Sequence, residues 1–158
     1  MTTQIMTIDQ VNSKASFTVK KLGLLTVKGT LADMSGEISF DENDLKNSSF
    51  HVKVQAATIQ TGNPKRDEHL KTEDFFDVQT YPTLTFTSTN IEGANGHYKA
   101  IGPLTMLETS KKVEIPFEFR DGMFTGQFSL DRTTYGLVAK IPTLVVGKKI
   151  EVAIACRV

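Results

Sequence analysis

Three polar side chains suited to chemistry fall within four residues of the sequence: Arg66, Asp67 and His69. A guanidinium and an imidazole can donate hydrogen bonds to a phosphate or a quinone carbonyl, and an Asp–His pair can orient a water molecule. The alternative is a local polar network. In it, Asp67 accepts hydrogen bonds from the main chain or from Arg66, and His69 fastens a helix to a sheet. The spacing is compatible with both interpretations.

A second polar pair, Arg132 and Tyr135, directly follows an apolar run. Residues that follow a strand often anchor the strand end by hydrogen bonding to the main chain. We therefore interpret both first as polar anchors and second as contacts to the head group of a ligand.

Catalytic signatures are missing from the sequence. The histidines His51, His69 and His97 fall on separate predicted elements, and none belongs to a His-x-x-x-His or Cys-x-x-Cys metal pattern. The sequence has neither a Gly-x-Ser-x-Gly elbow nor a glycine-rich phosphate loop. We predict no catalytic residue, no metal site and no cofactor.

Composition limits the partners of the chain. With 18 basic and 18 acidic residues among 158, it lacks the basic surplus that nucleic-acid binding normally requires. The single cysteine, Cys156, alternates with apolar residues and is expected to be a small buried hydrophobe. No apolar run reaches the roughly 18 residues of a membrane span, and residues 1–6 show no secretion signal. We expect a soluble protein of the cytoplasm, or of the periplasm if a leader has been removed.

The elements that must position these residues are mostly strands. Apolar and polar residues alternate with a period of two, as in 50–56, 113–119 and 150–156, which predicts a sheet with one dry face. Strands are expected at 14–21, 25–31, 36–41, 48–59, 83–90, 97–106, 113–119, 123–131 and 148–157. A tight turn at 33–36 would separate the second from the third. Asn63 and Pro64 predict the start of one short helix within 63–77.

Strand counting places the connections. Asn95-Gly96 and Asp121-Gly122 supply two-residue hairpins, whereas 60–82 and 132–147 are long links that contain apolar residues. If consecutive strands run antiparallel, both links lie at one end and both hairpins at the other. This predicts a closed floor, and a mouth where Arg66 and His69 lie close to 132–147. The first and last strands are expected to pair and close a barrel.

The dry faces define a candidate interior. The inward residues chosen as ligand-binding are Phe17, Val19, Val54, Phe86, Leu104, Phe117, Phe119, Phe128 and Ile154, with Val27, Phe40 and Leu130 also facing inward. Periodicity does not distinguish a hollow interior from one that is filled by side chains, so both remain open at this point.

An ordered set of motifs across nearly the whole chain resembles the YceI-like family of lipocalin-like, polyisoprenoid-binding proteins of bacteria. The motifs lie at 58–62 (TIQTG), 66–70 (RDEHL), 74–77 (DFFD), 81–83 (YPT), 86–88 (FTS), 102–105 (GPLT) and 131–136 (DRTTYG). One departure is Asn12, which stands where the family commonly has a histidine before Ser13.

The resemblance implies an all-β fold: a single domain over 1–158 that forms an extended eight-stranded antiparallel lipocalin-like barrel with one short helix in the 60–82 connection. It also implies that the interior holds a long-chain isoprenoid or similar amphiphilic lipid, such as a polyprenyl phosphate or an isoprenoid quinone. Arg66, Asp67, His69, Arg132 and Tyr135 are then head-group candidates at the mouth. The alternatives are an enzyme or stress-response protein acting on a hydrophobic small molecule at the mouth, and a solid β-sandwich that binds a protein. A homodimer is left open.

Overall fold

The computed structural model describes residues 5–138 and 141–158. Residues 1–4, where a secretion signal was not expected, and 139–140 of the second link lie outside the described residues. Among the helices described, none is long and apolar enough to cross a membrane.

Eight of the ten strands form a closed antiparallel barrel. In ring order they are β2, β3, β4, β5, β7, β8, β9 and β10, and the ring closes between β10 and β2. Two short strands are added, β1 against β3 and β6 against β7. The strands are β1 (Ile5–Met6), β2 (Lys14–Lys21), β3 (Leu25–Ser39), β4 (Ser49–Gln60), β5 (Thr83–Thr87), β6 (Asn90–Ala94), β7 (His97–Met106), β8 (Thr109–Arg120), β9 (Met123–Asp131) and β10 (Val146–Arg157). The predicted barrel and its closure are confirmed.

Helix α1 (Pro64–Leu70) begins where the sequence predicted a helix. The side-chain oxygen of Asn63 accepts a hydrogen bond from the main-chain N–H of Arg66, and Pro64 occupies the first helical position. Two turns of 3₁₀ helix, Leu45–Asn47 and Arg132–Tyr135, were not predicted. Such short turns lack the periodic apolar pattern that reveals longer helices.

The predicted turn at 33–36 is wrong, because β3 runs through it as one strand of 15 residues. Asp33 has φ +54° and Gly36 has φ +129°, and the pairing of β3 with β4 shifts on either side of Ala32. These residues produce a bulged bend rather than a reversal, because the chain keeps its partner strand throughout. The predicted turn had split this one strand into two, so nine strands were predicted where the closed ring has eight.

The predicted strand 83–90 divides into β5 and β6 because the segment changes partner. β5 lies between β4 and β7, and at Ser88 the main-chain N–H still donates to Phe50 O. At Thr89 the N–H donates instead to Ile101 O, and β6 then follows β7 alone.

Both long links lie at one end of the barrel, as predicted, and we call this the link end. The hairpins at Asn95-Gly96 and Asp121-Gly122 lie at the other, the hairpin end. The first link joins β4 to β5 and the second joins β9 to β10. In the ring these junctions are on opposite sides. Arg66 and His69 therefore share an end with 132–147, and the two links are attached to opposite sides of the ring. The expected closeness of these residues to 132–147 stays a prediction.

Gly36 combines a steric constraint in the wall with a positive φ. A Cβ added there would lie 2.0 Å from His51 O, and φ is +129°. Gly96 provides a matched control because its φ is also positive, at +83°, but nothing lies within 4 Å of an added Cβ. Gly96→Ala should lower the free energy of unfolding by about 1 kcal/mol through backbone strain alone.

Gly36→Ala should lower the free energy of unfolding by a further 1–3 kcal/mol or so, because the added methyl overlaps the main chain of β4. Urea denaturation of the two variants measures the difference. Equal losses would show that the bend can relax, and that Gly36 is needed only for its backbone angles.

Candidate functional site

The barrel encloses an apolar cavity of about 190 Å³. Every strand of the closed ring contributes to its wall, and the lining atoms are almost all carbon. The register explains this, because residues paired across neighbouring strands face the same side of the sheet. Phe17 on β2, Val152 on β10 and Phe128 on β9 form one such inward row.

Half-buried inward side chains show that this interior is hollow. Phe17, Phe86, Phe128, Val152 and Ile154 all line the cavity, yet each is only half-buried. A well-packed core would cover such residues fully, since protein interiors are close-packed. The uncovered surface therefore faces the cavity. This decides between the two interpretations that the periodicity had left open.

Glycine residues create part of the space. A Cβ on Gly29 would lie 2.3 Å from Phe17 Cζ, so the Phe17 ring lies directly over the main chain of β3. Gly126 lines the cavity between Phe117 and Ile154, which flank it on the neighbouring strands. Larger residues at these two positions would project into the cavity or displace the side chains that border it.

A cluster of six rings, which we call the aromatic floor, closes the hairpin end: Phe40, Phe50, Tyr98, Phe117, Phe119 and Phe124. Phe40 contacts the other five, with ring centroids 5.2–6.2 Å apart. Most of these contacts are T-shaped or tilted, which is the favoured geometry for aromatic pairs. The floor is therefore made of packed rings as well as the tight turns that were expected to close it.

One side chain from each link covers the link end of the cavity. Phe76 follows α1 in the first link, and Leu137 follows the 3₁₀ turn in the second. Both are buried and line the cavity. Gly136, directly before Leu137, has φ +73°, and a Cβ added there would contact nothing. Leu137 thus directly follows a residue, Gly136, that has little steric restraint from its surroundings.

Seven of the nine predicted ligand-binding residues line the cavity: Phe17, Val54, Phe86, Leu104, Phe117, Phe128 and Ile154. Val19 and Phe119 do not. Val19 lies near the link end, paired with Val27 and Ile150, and Phe119 belongs to the aromatic floor with its centroid 4.3 Å from that of Phe124. Of the other inward residues, Leu130 lines the cavity, whereas Phe40 belongs to the floor and Val27 is absent from the wall.

Several wall residues were not among those chosen from the sequence as ligand-binding. The largest are Leu31, Met34, Ile38, Phe50, Val52, Phe76, Leu84, Met106, Ile115, Phe124, Leu137, Ile150 and Val152. Five of them, Phe50, Val52, Ile115, Ile150 and Val152, belong to the alternating runs 50–56, 113–119 and 150–156, and the same alternation along β9 would have found Phe124. Met34 could not be found in this way, because the bend at Asp33 breaks the period within β3.

The polar cluster of the first link is bonded within itself. Arg66 Nε donates to Thr61 Oγ1 and an Arg66 terminal N–H donates to Thr61 O, both at 2.8 Å. Asp67 accepts from the Thr61 main-chain N–H at 2.9 Å. His69 is exposed, with Nε2 3.6 Å from an Asp74 oxygen and its ring edge-on to Phe75. This geometry favours the local polar network for Arg66 and Asp67, whereas His69 contacts residues of its own link and does not fasten the helix to the sheet. Within the described ranges, no three metal-ligating side chains come together.

Arg132 is the largest fully buried side chain, with 1% exposed. All five of its N–H groups donate to main-chain carbonyls, those of Leu137, Val138, Ile141, Val146 and Gly147, at 2.7–3.2 Å. Burial lowers its pKa, and the nearby Asp131 charge opposes that shift. The guanidinium thus fastens the second link to the start of β10 and has no N–H left for a head group. This geometry favours the anchoring interpretation.

Tyr135 differs from Arg132 because its buried hydroxyl finds no hydrogen-bond partner among the described residues. Burial raises its pKa, so the hydroxyl stays protonated at neutral pH. It is a donor and acceptor held two residues from Leu137, which lines the cavity. Cys156 lies in the wall as the expected buried hydrophobe, and burial raises the pKa of its thiol to about 11.

A closed antiparallel barrel around a hollow apolar interior is the architecture of barrel proteins that hold one slender ligand. The chain matches the model of the YceI-like domain over residues 6–158 and belongs to this family. A UPF0312 protein of Vibrio campbellii is 34% identical over 115 residues, which are 71% of this chain and 61% of that protein. One from Photorhabdus laumondii is 32% identical over 97 residues, 61% of this chain and 50% of the relative. The chain thus spans about half to three fifths of the curated relatives it matches.

Solved structures share the fold. Burkholderia cenocepacia BcnA superposes with a TM-score of 0.85 at 22% identity, over 94% of this chain and 98% of that one. A Campylobacter jejuni YceI protein gives 0.76 at 28% identity, over 86% of each chain. A polyisoprenoid-binding domain from Saccharophagus degradans gives 0.72 at 15% identity, over 98% of this chain and 97% of that one.

Replacing Arg132 by methionine should lower the free energy of unfolding by at least about 3 kcal/mol, because several buried carbonyls lose their donors at once. Arg66→Met is the matched control. Loss of its half-buried hydrogen bonds to Thr61 should lower the free energy of unfolding by about 1 kcal/mol. Denaturant titration of both variants measures the two losses, and similar values would contradict the anchoring role of Arg132.

Tyr135→Phe should leave the free energy of unfolding of the lipid-free protein unchanged or slightly higher, because the lost hydroxyl has no partner and its burial costs about 1–3 kcal/mol. Thermal denaturation of the delipidated variant beside the delipidated wild type provides the measurement. A clear loss of stability would mean that the hydroxyl is bonded in solution.

Proposed function

We propose that this protein binds the tail of a long-chain isoprenoid or similar amphiphilic lipid inside the barrel, and sequesters or carries it without covalent chemistry. The observation that carries the proposal is the hollow apolar cavity, bounded by the aromatic floor at one end and covered at the other by Phe76 and Leu137. A cavity with this lining offers almost nothing to a polar ligand, whereas its carbon surface suits a hydrocarbon chain.

The energetics favour an occupant. An empty cavity costs about 24 cal/mol per Å³, so 190 Å³ corresponds to about 4–5 kcal/mol that an apolar ligand would recover. Water is a poor substitute, since apolar cavities of about 150 Å³ stay dry and bind apolar molecules instead. Each methylene placed in the cavity contributes about 0.8 kcal/mol before ordering costs are subtracted.

An isoprenoid tail is supported by membership of the YceI-like family and by the fold shared with the polyisoprenoid-binding domain of Saccharophagus degradans. The head group is proposed to be a quinone or a polyprenyl phosphate. Because every N–H of Arg132 is committed to main-chain carbonyls, that buried cation has none left for a phosphate. The buried Tyr135 hydroxyl, which has no partner among the described residues, lies two positions from the cavity-lining Leu137 and would suit a neutral acceptor such as a quinone carbonyl if a head group reached it.

Binding is proposed in preference to catalysis because Asp67 and His69, the pair that the sequence offered for orienting a water, are not brought together. Asp67 accepts hydrogen bonds from Thr61, whereas His69 turns towards Asp74 and Phe75 on the outside of the first link. The side chains nearest the cavity supply hydrocarbon surface rather than a nucleophile or a base, and the thiol of Cys156 is held protonated by burial.

Two adjacent residues of β10 allow a matched test. Val152 faces the cavity and is half-buried, whereas Ala153 is exposed on the outside of the barrel. Val152→Trp should fill the cavity and remove most of the lipid that copurifies with the protein, at a stability cost of about 1–3 kcal/mol. Ala153→Trp should leave the lipid load unchanged. Native mass spectrometry followed by organic extraction measures the load of each folded variant.

If the folded Val152→Trp variant keeps the wild-type lipid load, the barrel interior is not the binding site. If wild-type protein exposed to isoprenoid quinones and polyprenyl phosphates retains neither, but does retain another apolar molecule, the interior is the site and the isoprenoid assignment is wrong.

A further inference from the structure

Exposed leucines gather at the link end. Among the described residues, seven large hydrophobic side chains are exposed, and five of them lie there: Leu22, Leu24, Leu25, Leu144 and Val145. Leu24 and Leu144 each expose 87% of their surface. The other two, Ile5 and Val11, belong to the segment before β2. Single exposed leucines need no explanation, but a group on neighbouring segments indicates an interaction surface.

The five residues belong to one surface, because the two segments that carry them are bonded together. The Leu22 main-chain N–H donates to Val145 O at 2.8 Å, and Lys21 pairs with Val146 where β10 joins β2. The turn between β2 and β3 and the end of the second link therefore form a continuous platform. We call residues 22–25 and 144–145 the rim patch.

Lysines flank the rim patch on both strands. Lys20 and Lys21 precede it on β2, and Lys148 and Lys149 follow it on β10, all four exposed. The nearby carboxylates are Asp131, opposite Lys149 on β9, and Glu151, whose oxygen is 3.3 Å from Lys149 Nζ. Four cations and two anions leave this side of the opening positive, although the whole chain carries no net charge.

The opposite side of the opening has the reverse character. Around α1, the first link carries five carboxylates, Asp67, Glu68, Glu73, Asp74 and Asp77, against the three cations Lys65, Arg66 and Lys71, so its net charge is negative. Its large apolar side chains Phe75 and Phe76 are half-buried or buried. Charge and exposed hydrocarbon are thus segregated across the opening. A surface that is both apolar and basic fits a partner that offers hydrocarbon beneath a layer of negative charge.

We propose that the rim patch docks the link end onto the surface of an anionic lipid bilayer. The leucines enter the boundary between head groups and acyl chains, and the flanking lysines lie against lipid phosphates. The cavity then opens towards the membrane, and a lipid tail can pass between bilayer and barrel with little exposure to water. This goes beyond the proposed cargo binding, and it can be tested without any cargo.

The test is flotation of the delipidated protein with vesicles of phosphatidylcholine alone and of phosphatidylcholine mixed with an equal part of phosphatidylglycerol. Wild type should bind the mixed vesicles at least about tenfold more tightly, and added salt should remove most of that preference. The double variant Leu24→Ser/Leu144→Ser should lose at least about tenfold in binding to the mixed vesicles. Both side chains are exposed, so the variant should denature at the wild-type temperature.

Matched controls come from the other parts of the molecule. Val11→Ser removes a side chain that is 92% exposed but lies away from the link end, and its binding should equal that of wild type. Lys20→Gln/Lys21→Gln should weaken binding to the mixed vesicles only. The pair Lys14→Gln/Lys46→Gln makes the same change in charge at the hairpin end and should have no effect.

Three results would overturn the proposal: no binding of wild type to either vesicle, unchanged binding by the double leucine variant, or equal losses in the hairpin-end controls. A further result would assign the patch to a second copy of the chain instead. In that case light scattering would show a dimer for wild type and a monomer for the double leucine variant, and wild type would not bind either vesicle.

Discussion

The antiparallel pairing of β10 with β2 joins the first and last strands of the ring and turns a sheet into a closed wall. Closure leaves the inward face of every strand with no second layer to pack against, so the interior must be either filled by its own side chains or left hollow. Glycine at 29 and 126 and alanine at 100 and 15 are too small to fill it. The cavity is therefore a result of closure and of residue size together, and both long links are positioned by the same ring.

The sequence was sufficient for the properties that depend on local periodicity. Alternation along β4, β8 and β10 predicted which residues face inward, and Asn63 with Pro64 predicted the helix start. It was insufficient where geometry depends on a partner strand. Asp33 and Gly36 have the composition of a turn, but continued pairing with β4 makes them a bend within one strand. Phe119 has the correct alternation for the wall but belongs to the floor, because depth along the barrel axis is not encoded in a period of two.

The polar residues illustrate the same limit at the candidate site. Arg66, Asp67, His69 and Arg132 carry groups that could bind a head group, and their residue types alone left that question open. Contacts favour a structural role for three of them. Thr61 accepts a hydrogen bond from Arg66 and donates one to Asp67, and five main-chain carbonyls accept from Arg132. Tyr135 was grouped with Arg132 by position, yet its hydroxyl is a buried polar atom with no partner in the part of the chain that the structure describes. Neither the bonding of Arg132 nor the unpartnered hydroxyl of Tyr135 can be predicted from the sequence, because both depend on where the second link folds back.

The aromatic floor limits the length of ligand tail that the barrel interior can accept. Phe40 meets four of its five neighbouring rings edge to face and the fifth at a tilt. Such a packed array deforms little when a flexible chain end presses on it. In the binding mode proposed above, a tail that enters from the link end would advance until its last carbon meets these rings, and any further length would stay outside. The barrel would then select among homologous lipids by the length of their tails rather than by their chemical groups, because the rings at the hairpin end limit how far a tail can enter.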